Sequence, residues 1–132
     1  MNILVVDDEK DVQVLFEQRF RKEIRNGEMK FEFAFSGEEA LSYLGKHEQE
    51  AVLILSDINM PGMSGLELLG EIKEKHLKPP PVVMMITAYG DKENYETAMR
   101  LGADDFLTKP LEFNLLKEKL KEIRNGEDTG GR

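Results

Sequence analysis

The 132-residue chain has no cysteine and no tryptophan, two histidines and five prolines. Without cysteine there is no disulfide framework, no thiolate metal site and no thiol redox chemistry. His47 and His76 are the only imidazoles, so a zinc site of the usual composition is not expected. The strongly apolar runs are strand-sized, so no membrane-spanning helix is expected. Basic residues are outnumbered, 18 against 26, for a formal net charge of −8. An acidic chain without a basic stretch is a poor candidate for direct nucleic-acid binding. The first residues lead straight into an apolar run, with no signal-peptide pattern. These exclusions leave a soluble protein, expected to be cytoplasmic and to make no membrane contact. The abundant Lys and Glu read as solvated helix surface rather than a thermophile's ion pairs.

What remains is an alternation. The length suits one domain with a proper core, expected over residues 1–125, with 126–132 a flexible tail or the start of a linker. Residues 2–6 form a continuous apolar run, the mark of a strand buried on both faces. Residues 11 to about 25 place Val12, Leu15, Phe16, Phe20 and Ile24 on one helical face. Residues 31–35, Phe-Glu-Phe-Ala-Phe, alternate as a half-exposed edge strand does. Ser36 and Glu39 make a capping-box pair ahead of a helix to about His47, which buries Ala40, Leu41 and Leu44. Residues 52–56 are a third strand, followed by a loop over 58–63 that contains Pro61 and Gly62. Ser64 and Glu67 form a second capping box, opening a helix that buries Leu66, Leu69 and Ile72.

Pro79-Pro80-Pro81 is a stiff connector into a fourth strand at 82–86. Asp91 caps a helix ending at Leu101, with Gly102 in the left-handed position beyond it. Residues 103–108 are a short fifth strand. Residues 112–124 are the last helix, with Phe113, Leu116, Leu120 and Ile123 inward. The hexapeptide Glu-Ile-Arg-Asn-Gly-Glu occurs at 23–28 and again at 122–127. Without similarity over a longer unit it is no structural repeat, and it reads as shared helix-end chemistry, with Gly27 and Gly126 past the two ends. Strict alternation implies a parallel sheet with right-handed crossovers. The expected fold is therefore α/β, a flavodoxin-like doubly wound (βα)5 three-layer sandwich of strand order 2-1-3-4-5.

In such a sheet the C-terminal strand ends share one edge, where ligand sites form. Asp7 and Asp8 follow the first strand, Asp57 the third, Thr87 the fourth and Lys109 the fifth. Neighbouring carboxylates repel by roughly 4 kcal/mol per pair at ~4 Å and an effective dielectric near ~20. One such acid alone could be a helix cap. Three at two strand ends point to a hard cation held by oxygen ligands, Mg²⁺ by default. A carboxylate can attack phosphorus to give an aspartyl phosphate, provided metal and donors neutralise the phosphoryl oxygens. Thr87 supplies a hydroxyl and Lys109 a positive charge. Repulsion among Asp7, Asp8 and Asp57 also predicts that Asp57→Asn stabilises the metal-free fold by ~1–3 kcal/mol.

Four motifs carry a resemblance: VVDDE after the first strand, SDINMPGMSGLE around the third, ITAYG after the fourth and DFLTKP at the fifth. In that order and spacing, over residues 2 to about 124, the chain resembles the receiver domain of two-component response regulators. The resemblance implies that Asp57 accepts a phosphoryl group from a phosphohistidine. It implies that Asp7, Asp8, Asp57 and the Asn59 backbone carbonyl hold Mg²⁺, and that Thr87 and Lys109 bind the phosphoryl oxygens. The Lys109–Pro110 bond is expected to be cis. Thr87 and Phe106 would be the switch pair, altering the partner affinity of the face made by the fourth and fifth helices and the fifth strand. Phe106 lacks a tyrosine hydroxyl, which leaves packing as its means of switching, or plain core filling as its role. Asn59 and Tyr89 lie where the family varies and should set water access.

Such a domain is not a classical enzyme, although it catalyses its own phosphorylation and slow dephosphorylation. Its partners would be a sensor histidine kinase or phosphotransfer protein and a downstream effector protein, with a phosphorylation-dependent homodimer as one form of output. Two rivals share the fold class. A Mg²⁺-dependent aspartate-nucleophile phosphohydrolase usually has a second Asp two residues past the first, where this chain has Asn59. A flavin or nucleotide module needs a glycine- or hydroxyl-rich cradle after the first strand, where this chain has Asp7-Asp8-Glu9.

Overall fold

The computed structural model describes residues 1–47, 50, 52–78, 80–88 and 91–129. Five strands, β1 (Asn2–Val6), β2 (Lys30–Ala34), β3 (Val52–Asp57), β4 (Val82–Ala88) and β5 (Asp105–Lys109), form one parallel sheet of order β2-β1-β3-β4-β5. Among the described residues six helices connect and cover them: α1 (Asp11–Arg19), α2 (Arg21–Arg25), α3 (Gly37–Lys46), α4 (Gly65–Glu74), α5 (Lys92–Arg100) and α6 (Phe113–Thr129). The expected doubly wound order is the observed one, with β2 at an edge.

Successive strand residues point to opposite faces, which divides the core in two. Leu4, Val6, Ile54, Val83 and Met85 pack with Leu44, Leu68, Leu69 and Ile72 from α3 and α4. Ile3, Val5, Leu53, Leu55, Met84 and Ile86 pack with Phe16, Phe20, Leu116 and Leu120 beneath α1 and α6. On this second face Phe16, Phe20, Phe31, Phe33 and Phe113 make edge, tilted and stacked contacts with centroids 5.0 to 6.3 Å apart.

The local signals mostly act as expected. Ser64 and Glu67 form the reciprocal capping box. Ser36 accepts from the Glu39 N–H, but Glu39 reaches back one residue further, to the Phe35 N–H. Asp91 caps α5, and Gly102 beyond its end has φ +98°. Gly27 has φ +76° after α2, as its place after a helix suggests. The Lys109–Pro110 bond is cis.

Four expectations need correction. The single helix over 11–25 is two, broken at Phe20 (φ −109°, ψ 19°). Phe20 is fully buried against Phe16, Phe31 and Phe113, and the bend that seats it shifts which residues face inward. Leu15 and Ile24 are 40% and 38% exposed, while Glu23 is buried. On α4, Leu68 is the fully buried residue beside Leu69 and Ile72, and Leu66 lies at the margin. The last helix runs to Thr129, so Gly126 lies within it rather than past its end. A glycine costs a helix interior only about 1 kcal/mol, too little to stop it alone. Strand limits shift by one or two residues: β2 begins and ends one earlier, β3 takes in Asp57, β4 runs through Ala88 and β5 spans Asp105–Lys109. Pro79, Tyr89 and residues 130–132 lie outside the described residues.

Candidate functional site

β1, β3, β4 and β5 deliver their ends to one place because their register is parallel and in step: Val6 lies beside Ser56, Asp57 beside Ile86, and Ala88 beside Lys109. The residue after each apolar run therefore arrives at a common crevice. Asp7, Asp8 and Asp57 each offer a carboxylate oxygen there, and these atoms lie within 4.8 Å of one another. Asp57 is 4% exposed and Asp7 is buried, while Asp8 faces solvent. Neither Asp7 nor Asp8 caps α1. Its cap position is Lys10, without a side-chain bond, and Asp7 Oδ1 instead accepts from the Glu9 N–H at 2.9 Å.

Lys109 reaches across from β5. Its Nζ donates to Asp57 Oδ2 at 3.0 Å and stands 3.8 Å from Asp7 Oδ2. Burial pulls the ammonium pKa down, but the hydrogen bond to Asp57 and the charges of Asp57, Asp7 and Glu9 outweigh it and hold the pKa above 10.5. Burial lifts the Asp7 carboxyl above 3.8, and the Asp57 charge adds to that, against the Glu9 N–H and Lys109. One cation thus partly offsets three acids, and the donor set is entirely oxygen, the composition that suits a hard divalent ion.

Thr87 is 0% exposed, and among the described residues its Oγ1 has no hydrogen-bond partner. A buried hydroxyl without a partner costs about 1–3 kcal/mol. Asn59 is exposed on the loop after β3. Phe106 lies apart from the carboxylates. Its ring packs edge-on against Tyr95 of α5, centroids 5.1 Å apart, at the margin of the core. A groove of about 650 Å³ runs from Asp7, Glu9 and Lys109 over Val12, Leu15 and Phe113 to Arg19. Two residues beside the site, Ser56 and Gly65, lie within the motif around β3 but are given no role by the sequence pattern. A serine inside a strand and a glycine after a helix cap are both commonplace, and only their three-dimensional contacts distinguish them.

A family model described as the response regulator receiver domain matches residues 3–121. The chain is 38% identical over 129 residues to the response regulator protein PilR of Pseudomonas aeruginosa, covering 94% of this chain and 27% of that protein. It is 34% identical over 124 residues to a chemotaxis protein CheY homolog of Campylobacter jejuni, covering 93% of this chain and 92% of that one. A CheY-like receiver domain protein from Methanospirillum hungatei superposes with a TM-score of 0.80 at 31% identity, over 98% of both chains. The response regulator TrrA of Thermotoga maritima, solved in complex with Mg²⁺-BeF, gives a TM-score of 0.73 at 34% identity, over 92% of this chain and 97% of that one.

Proposed function

The chain belongs to the response regulator receiver family, and from that premise we propose that Asp57 is its phosphoacceptor in a two-component pathway. The observation that carries the reading is the convergence on Asp57 of the Asp7 and Asp8 carboxylates and the Lys109 ammonium from two other strand ends. A bound Mg²⁺ would be held by Asp7, Asp8, Asp57 and the Asn59 backbone carbonyl, and would offset negative charge on the incoming phosphoryl oxygens.

The remaining work falls to this chain's own residues. A carboxylate oxygen of Asp57 forms a bond to phosphorus as the bond from phosphorus to the donor's imidazole nitrogen breaks, and that nitrogen leaves with the electron pair. Lys109 holds the Asp57 carboxylate in place through the 3.0 Å hydrogen bond beforehand and can pair with a phosphoryl oxygen afterwards. Thr87 then gives its unpartnered hydroxyl as a donor to another of those oxygens. Moving Thr87 would disturb its neighbours on β4 and β5 and, through them, Phe106. That links the acid cluster to the face of α5, β5 and α6, where an effector would bind.

The groove beside Asp7 and Lys109, with half-exposed Leu15 on its rim, gives a phosphohistidine-bearing kinase or phosphotransfer protein an apolar shelf next to the carboxylate. The exposed Asn59 amide in place of a second acid speaks against the hydrolase alternative. Phosphodonors of this kind would place the protein in the cytoplasm. The described residues contain no helix long and apolar enough to cross a membrane.

The test is intact mass after incubation with acetyl phosphate and Mg²⁺, for wild type and Asp57→Ala. A gain of about 80 Da, one transferred phosphoryl group, is expected in the wild type with Mg²⁺ and in neither control. An adduct that persists in Asp57→Ala would assign the chemistry elsewhere.

A further inference from the structure

Three hydrogen bonds converge on the backbone that carries Asp57. The buried Ser56 hydroxyl donates to the Asp57 carbonyl oxygen at 3.0 Å. The Ile58 N–H donates to the Ile86 carbonyl at 2.9 Å, and the Gly65 N–H donates to the Ile58 carbonyl at 2.8 Å. These bonds tie the end of β3 to β4, the strand of Thr87, and to the first residue of α4.

The Gly65 contact is unusually close. A Cβ on Gly65 would overlap the Asp57 carbonyl oxygen and come within 2.8 Å of the Ile58 Cα. Gly65 is not among the positive-φ glycines of the described residues, which are Gly27, Gly62 and Gly102. It is required for its lack of a side chain rather than for its backbone freedom. The atoms it would strike are main chain on a buried strand end, so no rotamer change relieves the collision. Gly70, five residues on in the same helix, has open space where a Cβ would go.

Resting on the receiver reading, we propose that Gly65 and Ser56 are positioning residues for the metal and phosphoryl site. The Asp57 carboxylate must reach within a few ångström of those of Asp7 and Asp8, and its place is set by its own main chain. Gly65 lets α4 close down on that main chain, and Ser56 holds the carbonyl from the strand side. A methyl group at residue 65 pushes the peptide from Asp57 to Asn59 away from α4. That displaces both the carboxylate and the Asn59 carbonyl, two of the four expected ligands, while leaving the ligand residues themselves unchanged.

The experiment compares wild type with Gly65→Ala, Ser56→Ala and the control Gly70→Ala, using the full chain. Calorimetric Mg²⁺ titration of the folded proteins should show affinity weakened roughly tenfold or more in Gly65→Ala, the scale seen when outer-shell partners of a metal site are lost. Ser56→Ala should weaken it by about threefold, the loss of one hydrogen bond. Gly70→Ala should bind as wild type does. Amide exchange at Ile58 and Gly65 should quicken in both site variants. Wild-type Mg²⁺ affinity in Gly65→Ala and Ser56→Ala, with only the unfolding midpoint lowered, overturns the proposal. If Gly65→Ala does not fold, Ser56→Ala decides on the same readings. A wild type that neither binds Mg²⁺ nor takes a phosphoryl group defeats the receiver reading and this inference with it, whereas variants equal to an active wild type defeat this inference alone.

Discussion

Asp7 sits where burial and a neighbouring Asp57 both favour its neutral form, and the sign of the consequence is opposite to that of an ordinary paired carboxylate. Its pKa is raised above 3.8 in the fold, so between 3.8 and that raised value the native state binds more protons than the unfolded one. Stability from this group is therefore lost as pH climbs through that window. In the presence of a chelator, Asp7→Asn should gain on wild type in denaturant midpoint as pH rises from below 3.8 towards neutrality. A gap between the two that stays constant or narrows would contradict this. The strand-end residues were legible from the sequence because an apolar run announces its own end, and a parallel sheet collects those ends. Ser56 and Gly65 were not: the Ser56 hydroxyl turns onto the carbonyl of the next residue, and Gly65 meets the Asp57 main chain only once α4 has packed. The missing partner of Thr87 Oγ1 was equally invisible. The sequence lists a hydroxyl but not which neighbours fail to reach it.

Elements with their own start and stop signals appeared where the sequence placed them, α4 and α5 most plainly. The first helix shows what such signals leave out. Val12, Leu15, Phe16, Phe20 and Ile24 form a continuous helical stripe, yet five phenylalanines from α1, β2 and α6 compete for one space, and seating Phe20 breaks the helix. The turn that follows buries Glu23 under α6, where its Oε2 lies 3.5 Å from Lys117 Nζ and its Oε1 has no partner among the described residues. Lys117 also lies over the Phe20 ring, 5.3 Å from its centroid. A half-satisfied buried carboxylate is a poor source of stability, because its desolvation rivals its attraction to the lysine. Lys117→Met alone should lower the unfolding free energy by about 1–3 kcal/mol, by stripping the carboxylate of its counter-charge. Adding Glu23→Met should restore wild-type stability or exceed it. Urea titrations of the single and double variants measure both steps, and a double variant less stable than Lys117→Met would show that the pair is worth more than an apolar contact.

At the scale of the whole molecule, the acid cluster makes the fold's stability answer to its ligand. In chelator, Asp57→Asn should be more stable than wild type by about 1 kcal/mol, the low end of the range that charge repulsion alone suggests. The Lys109 ammonium, 3.0 Å from Asp57 Oδ2, already offsets part of that repulsion. With Mg²⁺ at about 100 times its Kd the wild type should gain ~2.7 kcal/mol, enough to reverse the order of the two proteins. Denaturant melts in both conditions test this, and a mutant midpoint at or below wild type in chelator would contradict it. The sheet order and the two-sided core were legible because each strand is short, apolar and followed by a helix, which leaves few topologies. The length of α6 was not, since Gly126 reads as a stop but costs a helix interior only about 1 kcal/mol. That helix also links the site to the far pole of the sheet. It starts beside Lys109 and runs back for about 25 Å at ~1.5 Å per residue. On the way Arg124 passes 3.7 Å from Glu28, whose carbonyl accepts from the Met1 amino group. Met1 and the Arg124 turn of α6 thus lie together at the pole opposite the carboxylates, clear of the incoming phosphodonor, like a plug wired from behind.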